Sequence, residues 1–126
     1  MSFSRSTLAG HPALVLDADG PLLRTEDDAR DVIQETYGTG IRMVVIPVGR
    51  LDPDFFLLSS GVAGAFVQKI VQYGFRLVIV GDVTAWTDAS DALRDWVREV
   101  NRGPDILFVP DPETLEARLN AEKPGS

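Results

Sequence analysis

The sequence predicts a single α/β domain built on a mostly parallel sheet, with an antiparallel hairpin at its N-terminal end and helices covering the strands. Three observations lead there. From Thr25 onward, segments of helical periodicity alternate with short apolar runs, the pattern of repeated strand–helix–strand units. The runs at residues 43–48, 76–80 and 106–109 are nearly continuous and rich in β-branched residues, as in strands covered on both faces. Between the first two, Val62, Ala63, Phe66, Val67, Ile70 and Val71 recur in pairs one turn apart, which makes a helix with one apolar face.

At 126 residues the chain reads as one domain over residues 1–126, with an ordered core at about 3–120, and can bury a layered core without staples. Its 44% hydrophobic and 25% charged residues are globular averages, and only the tails read as disordered. The absence of cysteine excludes disulfides, zinc–thiolate sites and thiol nucleophiles. His11, the one imidazole, is expected beside a turn and reads as a solvated turn residue rather than a ligand or base. A net charge of −7 with scattered basic residues argues against nucleic acid, whose phosphates are bound by clustered Lys and Arg. No apolar run approaches a membrane span, and MSFSRSTLAG lacks the apolar stretch of a signal peptide, so a cytoplasmic protein is expected. No cofactor and no metal are implied.

Taken in order, residues 3–8 form an edge strand and residues 13–17 a second, with Gly10, His11 and Pro12 turning the chain. Asp19-Gly20-Pro21 is a turn, followed by the apolar pair Leu22-Leu23. A helix over residues 25–37 has Thr25 as its cap, acids in its first turn and Gly38 closing it. After the 43–48 strand, Asp52-Pro53 reads as a cap with proline at the first helical position, opening a separate short turn or the main helix early. Gly74 ends that main helix. Residues 81–87, GDVTAWT, form a loop, residues 88–101 a third helix, and Asp111-Pro112 caps a final helix, beyond which residues 123–126 are expected to fray. The loops at the carboxyl ends of the strands, residues 17–20, 49–54, 82–87 and 109–112, are where such sheets bind ligands. Of these, Asp82, Thr84 and Trp86 make a polar and aromatic loop suited to a small ligand, with Trp86 equally suited to lid the core.

The main helix turns Gly61, Gly64, Ala65, Gln68 and Gln72 to its outer side. Glycine inside a helix loses roughly 1 kcal/mol against alanine, so a smooth outer face calls for close packing or a docked partner. Ser59, Ser60, Gly61, Gly64, Ala65 and Gln68 are therefore the candidate partner-binding residues, for another protein or a second copy of the chain.

The segment DPDFFLLSSGVAGAFVQKIVQYGFRLVIVGD, with TDASDALRDWVREVNRG and ILFVPDPETLEARL after it, resembles the bacterial domain of unknown function 4180 family. The resemblance covers roughly residues 42–119, about three fifths of the chain, through an acid-Phe-Phe element, a small-residue helix with Gln-Lys and an IVGD strand end. It implies a cytosolic α/β fold and assigns no activity; where the family carries glutamate after the helix glycine, this chain has Ala65. LSSGVAGAFVQKIVQYGFRLVIVG is also similar to the core of STAS domains, the anti-sigma-factor-antagonist class. That likeness implies a STAS-like topology, a regulatory or protein-interaction role and phosphorylation of Ser59 or Ser60, with Leu58 standing where the class has aspartate. Without it, either serine reads simply as a helix cap.

An enzyme alternative starts from VLDADGPLL, which resembles the loop of haloacid-dehalogenase-type phosphohydrolases. It implies Asp17 as nucleophile and Asp19 as general acid beside magnesium. The class places Ser or Thr where this chain has Gly81, and an Asp pair where it has Asp111-Pro112-Glu113. The non-catalytic reading is the expectation carried forward.

Overall fold

A computed structural model describes residues 3–122; the tail expected to fray lies outside the described residues. Strands β1 (Phe3–Leu8) and β2 (His11–Leu16) form the hairpin, with Leu8 opposite His11. Ala9 and Gly10 join them at φ 50° and 85°, the two left-handed positions of a type I′ turn. The turn is thus tighter than expected, and His11 and Pro12 belong to β2. Pro12 fits because hydrogen-bonded pairs alternate from the closing Leu8–His11 pair, so its missing donor faces away from β1, just before pairing with the next strand begins at Ala13.

Strands β3 (Met43–Pro47), β4 (Arg76–Val80) and β5 (Ile106–Val109) continue the sheet in the order β1-β2-β3-β4-β5, all parallel to β2. The helices are α1 (Glu26–Gln34), α2 (Val62–Gln72), α3 (Thr84–Ala89), α4 (Asp91–Val100) and α5 (Pro112–Ala121). Because spatial order follows chain order, right-handed crossovers put every connecting helix on one face. There Leu14, Val44, Ile46, Leu77 and Ile79 meet Ile33 of α1, Phe66 and Ile70 of α2 and Leu93 of α4. The alternate residues Ala13, Met43, Val45, Val78 and Leu107 face the other way, onto Leu115 and Leu119 of α5.

Thr25 closes a full capping box: its hydroxyl accepts from the Asp28 N–H, and the Asp28 carboxylate accepts from the amides of Thr25 and Arg24. Burial pushes the Asp28 carboxyl up, but those hydrogen bonds prevail and hold it below the ordinary range. Helix α1 stops at Gln34, earlier than residue 37, because Thr36 turns its hydroxyl back onto the Ile33 carbonyl at 2.6 Å; Gly38 takes the expected left-handed φ of 75°. The stretch from Asp52 is not one unbroken helix. It makes 3₁₀ turns at Pro53–Phe56, capped by Asp52, and at Leu58–Ser60, before Gly61 at φ 80° opens α2. The expected third helix is likewise divided, and part of the expected 81–87 loop is helical. Ser90 is extended between α3 and α4, and its hydroxyl caps α4 by accepting from the Leu93 N–H.

Phe66, Ile70 and Leu93 are fully buried and Gln68 and Gln72 are exposed, so the phase read for the main helix holds. Trp96 is only half-buried: it stands edge-on to Phe55 and Phe108 at 6.3 and 5.6 Å, at the margin of the core.

The end of α5 is tied to β4 by a two-pronged ion pair, Arg76 to Glu122 at 2.8 and 2.7 Å. That hydrogen bonding holds the Glu122 carboxyl below its ordinary value of 4.5. A depressed folded-state pKa contributes stability above the unfolded value, which is lost as pH falls through the folded one. Glu122→Gln is therefore expected to lower stability at neutral pH and to shrink the difference between urea midpoints at pH 7 and about pH 3.

Candidate functional site

The carboxyl ends of the parallel strands are organised by a residue that the sequence left unmarked. Arg50, 3% exposed, lies in the 3₁₀ turn after β3 and points under the 17–21 loop. Its guanidinium donates to the carbonyls of Asp17 and Pro21, both at 2.9 Å. Gly20 passes so close above it that a Cβ there would stand 2.8 Å from the guanidinium carbon. A short bridge, Leu23 to Leu51, with amide–carbonyl bonds at 2.7 and 3.0 Å, holds the following segment beside it. Asp17 and Asp19 are exposed on this loop. Among the described residues no three His, Asp or Glu side chains converge as a metal site requires.

In the 82–87 segment, Asp82 accepts from the Thr84 hydroxyl at 2.7 Å and amide at 2.9 Å, opening α3. The hydroxyl first, then the amide, lowers the Asp82 carboxyl. Trp86 is half-buried and stacks on Phe56, centroids 4.2 Å apart and planes 17° apart. A hollow of about 140 Å³ is bordered by Gly81, Asp82, Thr84, Asn101 and Phe108, and Trp86 is not part of its lining. Among the described residues the carboxyls of Asp28, Asp82, Asp111 and Glu122 are all held low, by the caps at Asp28 and Asp111, the turn Asp82 makes with Thr84, and one ion pair at Glu122.

The outer side of α2 brings the remaining candidates together. Ser59, Ser60, Gly61, Gly64 and Gln68 are exposed and Ala65 is half-buried. The two glycines have different causes. Gly61 sits at φ 80°, which side chains seldom adopt, so its identity follows from the backbone. Gly64 is helical, and a Cβ on it would meet nothing within 4 Å, so neither conformation nor packing asks for glycine there. Ser60 does not cap α2 in the usual way, since Gly61 holds the cap position; its hydroxyl donates to the Asp54 carbonyl at 2.7 Å and accepts from the Val62 amide at 3.2 Å. Beyond Ala65, Gln68 and Gln72 a shallow polar depression of about 220 Å³ runs to Glu26 and Lys69, which pair at 3.6 Å. Leu57 before the helix and Tyr73 after it are large apolar side chains 56% and 46% exposed, a feature that periodicity alone did not indicate.

Among the described residues no helix is long and apolar enough to cross a membrane. No curated protein and no solved structure matches the chain. The family described as Domain of unknown function (DUF4180) matches residues 8–119, a longer stretch than the 42–119 legible by resemblance, and the chain belongs to that family.

Proposed function

We propose that this chain is a non-catalytic regulatory or protein-interaction module of the bacterial cytoplasm, which docks a protein partner on the outer face of α2. The observation that carries this reading is Gly64: a helix glycine, exposed, with open space where its side chain would be. Its cost in helix stability of roughly 1 kcal/mol has no return inside the domain, whereas a smooth helix face admits close approach from outside. Leu57 and Tyr73 supply apolar contact area at the two ends of the same helix. The hairpin, the parallel strands and a helix opened by Ser-Ser-Gly suit the STAS-like reading, with Ser59 and Ser60 at the rim. Phosphorylation of Ser60 would remove the proton it donates to the Asp54 carbonyl and add about −2 of charge beside Asp54, altering the docking surface.

Gly64→Ala is expected to raise stability by about 0.5–1 kcal/mol in urea unfolding, while Gly61→Ala, strained at its left-handed position, lowers it. Gly64→Arg should keep the wild-type circular dichroism spectrum and lose the protein retained by the wild-type chain in capture from its host. Unfolding of Gly64→Arg, or an intact fold with unchanged retention, overturns the reading.

A further inference from the structure

The sheet is finished unevenly. Along β5 the side chain of Asn101 stands in for a neighbouring strand, its Oδ1 accepting from the Phe108 N–H at 2.7 Å and its Nδ2 donating to the Phe108 carbonyl at 3.2 Å. The two faces differ more than the edges do, because α1, α2 and α4 cover one and α5 alone covers the other. Five strands about 4.8 Å apart span roughly 20 Å, and a helix with its side chains is about 10 Å across, so a single helix leaves part of its face uncovered. Leu8, Val15 and Val80 are accordingly only half-buried, although they pack on the same side as the fully covered Ala13 and Val78.

The uncovered part is concave. Beside α5, Leu8 of β1, Val15, Val45 and Val80 of the parallel strands and Leu115 of the helix line a cavity of about 360 Å³, larger than the depression beside α2 and within the range of small-molecule sites. It reaches the last residues of β3 and β4, Pro47 and Val80, on the side of a parallel sheet where ligands bind. Among the described residues that line it, Glu116 carries the only charge and Ser6 the only hydroxyl; the others are aliphatic or proline. Glu116 pairs with no cation among the described residues.

We propose that this cavity binds a small aliphatic primary amine, with its hydrocarbon body on the valine and leucine walls and its ammonium at Glu116. The walls give an alkyl chain apolar contact and give an anionic head no donor beyond the Ser6 hydroxyl. A carboxylate head would meet Glu116, and the N-terminus of α5, which would otherwise attract it, already holds the Asp111 carboxylate on the Thr114 amide at 2.7 Å and carries Glu113 in its first turn. An ammonium instead gains a charge-assisted hydrogen bond to Glu116, and the Ser6 oxygen can accept a second. The site lies across the sheet from α2 and is independent of the partner proposed there.

NMR titration of the full chain with octylamine tests this, with octanol and octanoate as paired probes. Octylamine is expected to bind saturably and to shift the methyl signals of Val15, Val45, Val80 and Leu115, leaving those of Ile33, Leu77 and Leu93 on the other face unchanged. Octanol should bind more weakly and octanoate not at all. Glu116→Gln, at an exposed helix position, should keep the fold, weaken octylamine about two- to fivefold, as an exposed ion pair does, and leave octanol unchanged. Val15→Phe fills the cavity and should abolish binding of both; should it unfold the domain, the Glu116→Gln comparison decides alone. Absence of saturable octylamine binding, octanoate bound as tightly as the amine, or an octylamine affinity indifferent to Glu116→Gln overturns the proposal. So do methyl shifts spread over both faces of the sheet, which mark adsorption of a cation to an acidic protein.

Discussion

Phe55→Ala is expected to destabilise the domain by about 3–5 kcal/mol, a large share of the stability of a domain this size. Phe55 is fully buried, although it belongs to a 3₁₀ turn in a connection rather than to a regular helix or strand. Its ring meets Phe56, Phe66 and Trp96 edge-on at 5.3, 6.2 and 6.3 Å, and so joins the connection to α2 and α4. Removing it opens a cavity that those three rings, held by other partners, close only in part. A urea midpoint falling with little change in the slope of the transition is the expected result. Phe55→Leu should recover much of the loss, since it keeps most of the apolar volume.

Arg50→Met is the second large effect, expected at about 3 kcal/mol. Methionine is of similar length and apolar, but the carbonyls of Asp17 and Pro21 lose their charged donor in two partly buried hydrogen bonds. A hydrogen bond to a charged group contributes about 1.5–3 kcal/mol, and water reaching the exposed loop offsets part of the two lost here. Hydrogen exchange should show the 17–21 loop opening before the sheet does. Arg50→Lys should restore only part of the loss, because one ammonium lacks the spaced donors by which the guanidinium reaches two carbonyls.

Residues 76–80 and 106–109 were legible as strands because a strand buried on both faces needs apolar, β-branched residues at nearly every position, a pattern no solvated segment shares. The phase of α2 was legible for a related reason: Phe66 and Ile70 repeat with the helix while Gln68 and Gln72 fall between them. The caps at Thr25 and Asp111 could be read because capping is a contact between residues three apart. The Ala9-Gly10 turn was misplaced because Pro12 reads as a turn residue unless its unpaired side in the ladder is known. The helix expected over residues 88–101 was read straight through the break at Ser90, since a serine can serve as a helix residue or as a cap.

Local sequence thus determined the element types, the buried face of α2 and most strand limits, because each rests on interactions among near neighbours. Tertiary structure alone decided that Arg50 is buried and that Asn101 seals one edge of the sheet. Arginine and asparagine usually belong to the surface. The carbonyls that bury Arg50 come from a loop about thirty residues away in the chain, and the strand that Asn101 completes lies across a turn. The same holds for the candidate site. Gly61 and Gly64 are the same residue type in one stretch, and only the folded backbone separates a glycine required by its left-handed φ from one that the domain does not need.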